Sequence, residues 1–298
     1  MDVGSFSAGL ITGLREGVEA ALIVSIILAY LARTGNRQAF GRVWIGVAAA
    51  VVTSLGAGFA LFTWVGDLPS PYEQLFEAAA MLLACAVVTW MLFWMRRTSA
   101  GIRDHLHAAL GRALSDGSAT GLALLAFVAV IREGLETALF LVGQAASAQT
   151  GAMWILVGAV AGLSVAALLG ALMYRGAARV NLGVFFRWTG IALVFIAGGL
   201  LASAIHELVE IGWIRVGTTV VFDLSAVLPH EAMAGAPTGL GLVVGQLLRA
   251  LVGYNSRPEL IMVAVWLVYV GVVLTLYLRP MPARRASSPA APPLEPVA

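Results

Sequence analysis

The chain has 298 residues, of which 60% are apolar and 11% charged, with a formal net charge of +2. Soluble domains carry about 25% charged residues, so this composition and a mean hydropathy of +0.91 exclude a soluble enzyme and point to an integral membrane protein. Long unbroken apolar runs exclude a β-barrel, whose strands alternate over about ten residues, and the absence of a basic run interleaved with aromatics argues against a nucleic-acid partner.

A helix needs about 20 residues to cross the hydrocarbon core. Seven segments meet that length, near residues 7–32, 43–66, 73–95, 118–145, 152–174, 186–209 and 259–279. The N-terminus lacks a positive region, and Arg15-Glu16 interrupts its apolar run, so the first segment is expected to stay in the membrane rather than be cleaved. The third segment opens with Glu73 and Glu77 and contains the one cysteine, Cys85, read as a small buried apolar side chain. The sixth ends at His206, Glu207 and Glu210. Residues 211–258 form an external segment, in which the short, Gly-rich stretch 239–254 is expected to be interfacial or re-entrant. Residues 281–298, rich in Pro, Ala and Ser, are expected to be a disordered cytoplasmic tail.

Orientation follows from arginine, because cytoplasmic loops retain positive charge. Arg33, Arg37 and Arg42 follow the first segment, and Arg96, Arg97, Arg103 and Arg112 the third. Arg175, Arg179 and Arg187 follow the fifth, and Arg279, Arg284 and Arg285 the seventh. The opposite side holds Arg215, Arg249 and Arg257 among many acids, including Asp67, Asp223, Glu231 and Glu259. The expectation is an N-terminus outside and a C-terminus in the cytoplasm.

The first segment contains Arg15-Glu16-Gly17-Val18-Glu19, and the fourth contains Arg132-Glu133-Gly134-Leu135-Glu136. The two motifs lie 117 residues apart, and each belongs to the opening span of a three-span unit, about 5–95 and about 118–209. Three is odd, so the second unit crosses the membrane in the opposite sense to the first. The expected fold class is therefore an all-α membrane protein of seven transmembrane helices, an inverted 3+3 repeat plus one C-terminal span, in a single domain over 1–280. Inverted repeats are a transporter architecture, with the site at the repeat interface near the midplane.

At about 100° per residue, Arg15, Glu16 and Glu19 share one helix face and Gly17 points away, where it permits close helix approach. Each charge at a helix centre costs about 2.5–3.5 kcal/mol on the insertion scale. Arginine pairing offsets part of that, yet each motif has one arginine and two glutamates and stays at −1. A bound cation or glutamate protonation is the remaining compensation. Four carboxylates, Glu16, Glu19, Glu133 and Glu136, form an oxygen-only set suited to a hard cation, with Arg15 and Arg132 as charge partners. That chemistry admits Mn²⁺, Mg²⁺, Ca²⁺ or iron. A second set, Glu73, Glu77, Glu207 and Glu210 beside His206, lies at the outer ends and would concentrate cations electrostatically where they enter.

Two REGxE motifs in the first and fourth of seven spans resemble the oxidase-dependent iron permease family, which includes fungal high-affinity iron permeases and the bacterial Efe-type permeases. The stretches HELVEIGWI (206–214) and GYNSRPEL (253–260) are similar to the bacterial branch, and the resemblance covers about residues 5–280. It implies a high-affinity permease of the cytoplasmic membrane, not an enzyme. Iron is then the transported substrate, no cofactor is permanently bound, and the motif glutamates are ligands during translocation. It also implies an external oxidase or iron-binding partner in trans. Lead or Mn²⁺ on the same fold, and a metal sensor without flux, are the alternatives. A di-iron oxidoreductase would want Glu-x-x-His pairs, which the motif segments lack.

Overall fold

The computed structural model describes residues 2–65, 72–98, 110, 112, 119–147, 152–176, 181–230 and 239–279. The expectations for Asp67, Arg103, Glu231 and the tail 281–298 lie outside the described residues. Eight α-helices are found among them: α1 (Val3–Arg33), α2 (Phe40–Val65), α3 (Tyr72–Thr98), α4 (Ala119–Ser147), α5 (Ala152–Tyr174), α6 (Leu182–Glu210), α7 (Leu240–Val252) and α8 (Leu260–Leu278). Helix is the only regular secondary structure among the described residues, apart from one isolated bridge between Val220 and Glu259.

A helix occupies each of the seven expected segments, and the differences at the ends have local causes. α1 begins at Val3 because the Asp2 carboxylate accepts from the Ser5 N–H at 3.0 Å, capping an otherwise unsatisfied donor. α6 begins at Leu182 for the same reason, since the Asn181 side chain accepts from the Val184 N–H. Among the described residues, five helices are long and apolar enough to cross a membrane: those over Arg37–Ala60, Tyr72–Arg96, Ala152–Tyr174, Gly183–Glu210 and Leu260–Leu278. α1 and α4 are as long, at 31 and 29 residues, but each carries three charges near its centre.

Small residues set the packing. α1 lies against α5, with Gly158 facing Phe6, Gly162 facing Leu10 and Gly170 facing Ala21, so these two helices run parallel. The Ser25 hydroxyl donates to the Gly170 carbonyl at 3.1 Å at the far end of the same seam. α2 and α4 also run parallel, with Gly46 against Ala123, Ser54 against Gly134 and Gly58 against Ala138. Close backbone approach of this kind is how helices associate where lipid removes the usual hydrophobic drive.

α1 and α4 run antiparallel. Thr12 meets Gln144 at one end of the pair, and Ile27 and Leu31 share a core with Leu122 and Ala126 at the other. α3 and α6 are antiparallel as well, through Ala78, Met81 and Ala84 with Leu200 and Ala204, then Val88 and Met91 with Leu193 and Val194. α8 lies antiparallel on α6, with Gly198 against Val270 and Trp266, and the Tyr277 hydroxyl donating to the Phe186 carbonyl at 3.0 Å.

Residues 211–230 are an ordered non-helical strap. Its backbone ties to the start of α8 through Val221 N–H to Pro258 O, Leu224 N–H to Ser256 O and Leu260 N–H to Thr219 O. Asp223 pairs with Arg257 at 3.1 Å, and the hydroxyl and N–H of Ser225 hold its carboxylate below the usual range. α7 has 13 residues, about 20 Å of helix, which is too short to span. It stops at Gly253, whose φ of 75° is left-handed, and Gly253 abuts Gly199 of α6, well inside that helix rather than at its end.

A Cβ at Gly9 would run into the Ile155 carbonyl, whereas one at Gly56 would meet nothing within 4 Å. Gly9→Val is expected to destabilise the purified protein by about 1–3 kcal/mol or prevent its accumulation. Gly56→Val should leave the Tm in detergent unchanged, and paired thermal melts check both.

Candidate metal centre

The antiparallel crossing of α1 and α4 brings the two motifs to one level. Glu16, Glu19 and Glu133 each present a carboxylate oxygen such that all three lie within 4.8 Å of one another, and all three residues are buried. Arg15 is buried with them. It bonds Glu16 through Nη1 and lies 3.3 Å from Glu19 through Nη2. Arg132 donates from Nε to Glu136 at 2.9 Å and lies 4.0 Å from Glu133.

The two arginines are held differently, and both by α3. Arg15 directs Nη1 to the sulfur of Met91 at 3.3 Å and Nη2 to that of Met95 at 3.0 Å. Arg132 stacks over the Trp94 ring at 3.7 Å, and its side chain is 32% exposed against 2% for Arg15. The cation–π contact suits a guanidinium that is only partly desolvated.

The polar inventory is incomplete in a telling way. Glu16 Oε2, Glu19 Oε1, Glu133 Oε2 and Glu136 Oε2 are buried without a hydrogen-bond partner. That is one oxygen from each motif glutamate. Buried polar atoms are rarely left unsatisfied; of these four oxygens, Glu19 Oε1 has Arg15 Nη2 at 3.3 Å as an ion-pair contact, and a cation held between the carboxylates would remove the cost of the rest. Glu136 stands outside the cluster of three, with its other oxygen engaged by Arg132.

The motif glycines serve the same geometry. A Cβ at Gly17 would lie 2.7 Å from the Ala166 Cβ of α5, and one at Gly134 would strike Ser54 of α2. Only glycine at these positions lets the charged faces stay turned toward each other while the backs of α1 and α4 pack closely.

The outer acidic residues assemble in part. Glu73, Glu77 and Glu207 lie close enough to repel one another, and Glu207 is drawn toward Arg249. Among the described residues they do not converge into a three-ligand cluster as Glu16, Glu19 and Glu133 do. His206 is taken up structurally. Its Nδ1 lies 3.0 Å from Glu259 and its Nε2 3.7 Å from Glu210, which ties the end of α6 to the start of α8.

The chain matches the model of the iron permease FTR1 family over residues 5–279. It belongs to that family. The protein is therefore a multi-pass membrane permease that carries iron, not an enzyme. It is 39% identical over 277 residues to the ferrous iron permease EfeU of Escherichia coli O6:H1 (strain CFT073), covering 92% of this chain and 96% of that one. The EfeU of Shigella sonnei (strain Ss046) gives the same identity and coverage. That of Yersinia pestis is 37% identical over 279 residues, covering 93% and 95%. No solved structure matches.

In this iron permease, sequence reasoning brought the two motifs together but missed what holds the arginines. Met91, Trp94 and Met95 lie in the apolar run TWMLFWM, where nothing in composition separates an arginine-binding face from a lipid face. It also missed the buried hydrogen bond from Gln144 Nε2 to the Thr12 hydroxyl at 2.8 Å.

Removing one partner of a buried ion pair costs about 3–5 kcal/mol, because the other charge stays behind. Arg15→Met should therefore lower the Tm in detergent far more than Arg132→Met, whose guanidinium is partly exposed. Adding Glu16→Gln to Arg15→Met should recover part of the loss. Differential scanning of the purified variants reads the order.

Proposed function

We propose that this permease moves iron inward across the cytoplasmic membrane through the two REGxE motifs, with Glu16, Glu19 and Glu133 as the midplane ligands and Glu136 as a fourth carboxylate that engages when Arg132 releases it. The observation that carries the reading is the convergence of three buried carboxylates from two separate helices, each with an unsatisfied oxygen. Oxygen-only ligands suit a hard cation such as iron. The similar proteins of Escherichia coli and Yersinia pestis are named ferrous iron permeases.

The architecture proposed is seven spans with an inverted 3+3 repeat over about 5–95 and about 118–209, followed by the external segment 211–258 and a seventh span. Its support is the exchange pattern of the helices. α1 packs parallel to α5 as α4 packs parallel to α2, and α1 and α4 cross antiparallel with their motifs level. α7 is assigned a re-entrant position, supported by its length and by the Gly253–Gly199 contact. The arginine distribution supports an N-terminus outside and a C-terminus in the cytoplasm.

In this scheme Glu73, Glu77, Glu207 and Glu210 concentrate iron at the outer mouth. Arg15 and Arg132 neutralise part of the carboxylate charge before iron arrives. Iron displaces them from the glutamates, which makes the loaded and unloaded arrangements distinct states. Rocking of one three-helix unit against the other then exposes the site inward. Each charge moved down the membrane potential gains about 2.3 kcal/mol per 100 mV. An oxidase or iron-binding partner outside the membrane supplies iron to this mouth.

Radio-iron uptake into cells tests the reading. Wild type is expected to accumulate iron, and Glu19→Gln and Glu133→Gln to fall to background at matched surface expression. Uptake by both variants at the wild-type rate would remove the motifs from the path. Preferential uptake of lead or Mn²⁺ over iron in competition would overturn the cargo.

A further inference from the structure

Between the outer helix ends and the tri-glutamate cluster lies a cavity of about 50 Å³, room for a few waters. Its walls include Asp2, Ser5, Ser203, His230 and Arg249 from the outer ends, and its floor includes Gln144. Arg249, which lines it, is also within electrostatic range of Glu207. Gln144 and Thr12 are both buried, and Gln144 Nε2 donates to the Thr12 hydroxyl at 2.8 Å, linking α4 to α1. Thr12 lies one turn before Glu16 on the same face of α1. Gln144 lies about 20° from Glu133 around α4. This pair therefore stands between a cavity of mixed apolar and polar lining and the carboxylates.

The opposite side of the carboxylates is different. There α1 and α4 close on Ile27, Leu31, Leu122 and Ala126, all fully or nearly fully buried, with Val43 of α2 and Leu110 added. The residue 117 positions before Gln144 is Ile27, and the one 117 positions after Thr12 is Ala129. The motif repeat keeps its charges on both helices but places a polar pair on one side only. A cation leaving water must exchange hydration for protein oxygens at each step. A hydroxyl and an amide carbonyl can provide that exchange, while the isoleucine–leucine plug cannot.

We propose that Thr12 and Gln144 form the outer gate of the permeation path: their hydrogen bond closes the passage, and on opening, their side-chain oxygens replace water around the iron as it passes from the cavity to Glu16, Glu19 and Glu133. The conformation described is closed inward by the apolar plug and approached from outside through this pair. The proposal rests on the motif glutamates being the central site, and its test separates the two claims.

The experiment measures initial radio-iron uptake at saturating iron for Gln144→Leu, Thr12→Val and Glu19→Gln, at matched surface expression. Alongside it runs the Tm shift that Fe²⁺ produces in the purified variants at equilibrium. Gln144→Leu and Thr12→Val are expected to slow uptake about tenfold or more, the scale of losing one buried polar partner. Both should keep the wild-type Fe²⁺-induced Tm shift, because the carboxylates are intact, while Glu19→Gln loses uptake and shift together. If both gate variants transport at the wild-type rate while Glu19→Gln is dead, the gate is refuted and the central site stands. If the gate variants lose the Fe²⁺ shift, the pair belongs to the binding site and the gate is likewise refuted. If Glu19→Gln transports normally, the central site fails and the gate with it. Should Gln144→Leu not reach the membrane, the near-isosteric Thr12→Val decides.

Discussion

Four buried glutamates, a buried Arg15 and a partly exposed Arg132 at the crossing of α1 and α4 leave a formal charge of −2, and much of the rest of the molecule is arranged around that deficit. Charges at membrane depth are tolerated only when they are paired, wetted or neutralised. Arg15 is wholly withdrawn among Met91, Met95 and two carboxylates, while Arg132 keeps partial exposure over Trp94. The pairing stops short of neutrality, and one oxygen of every motif glutamate is left without a hydrogen bond, that of Glu19 having only an ion-pair contact with Arg15. In the proposed reading the cargo itself completes this charge balance.

Packing keeps that site open to charge but closed to lipid. The glycines at 17 and 134 turn the uncharged backs of α1 and α4 against α5 and α2, and the charged faces turn toward each other and α3. The resulting seams are parallel within each pair and antiparallel between the two motif helices. The Thr12–Gln144 pair and the cavity lie on one side of the carboxylates and an apolar cluster around Ile27 and Leu31 on the other. The same two helices thus carry the proposed ligands, the proposed gate and the apolar plug, so a small relative rotation of them would alter all three together.

Much of this was legible in the sequence. Apolar length located the helices, and fifth-helix limits of 152–174 coincide with α5. The repeated REGxE motif placed two charged faces on two helices, and its odd three-span spacing pointed to the antiparallel crossing that brings Glu16, Glu19 and Glu133 together. The arginine partners on α3 were not legible, because methionine and tryptophan facing a guanidinium read the same as methionine and tryptophan facing lipid. Glu136 was expected to be equivalent to the other three, yet Arg132 reaches it through Nε and turns it aside, a rotamer choice that helical spacing does not encode. His206 was grouped with the outer acids by proximity in sequence, whereas Glu259, 53 residues later, takes its Nδ1. The Thr12–Gln144 pair escaped because neither residue is charged and neither belongs to the repeat.

The most direct test of the central claim is the coordination shell of bound iron. X-ray absorption at the iron edge of the purified, iron-loaded permease is predicted to show a first shell of oxygen alone, and the Glu16→Gln/Glu19→Gln/Glu133→Gln variant is predicted to lose that bound iron. Sulfur in the first shell, which Met91 and Met95 would supply, or an unchanged spectrum in the triple variant, would place the iron elsewhere and contradict the carboxylate site.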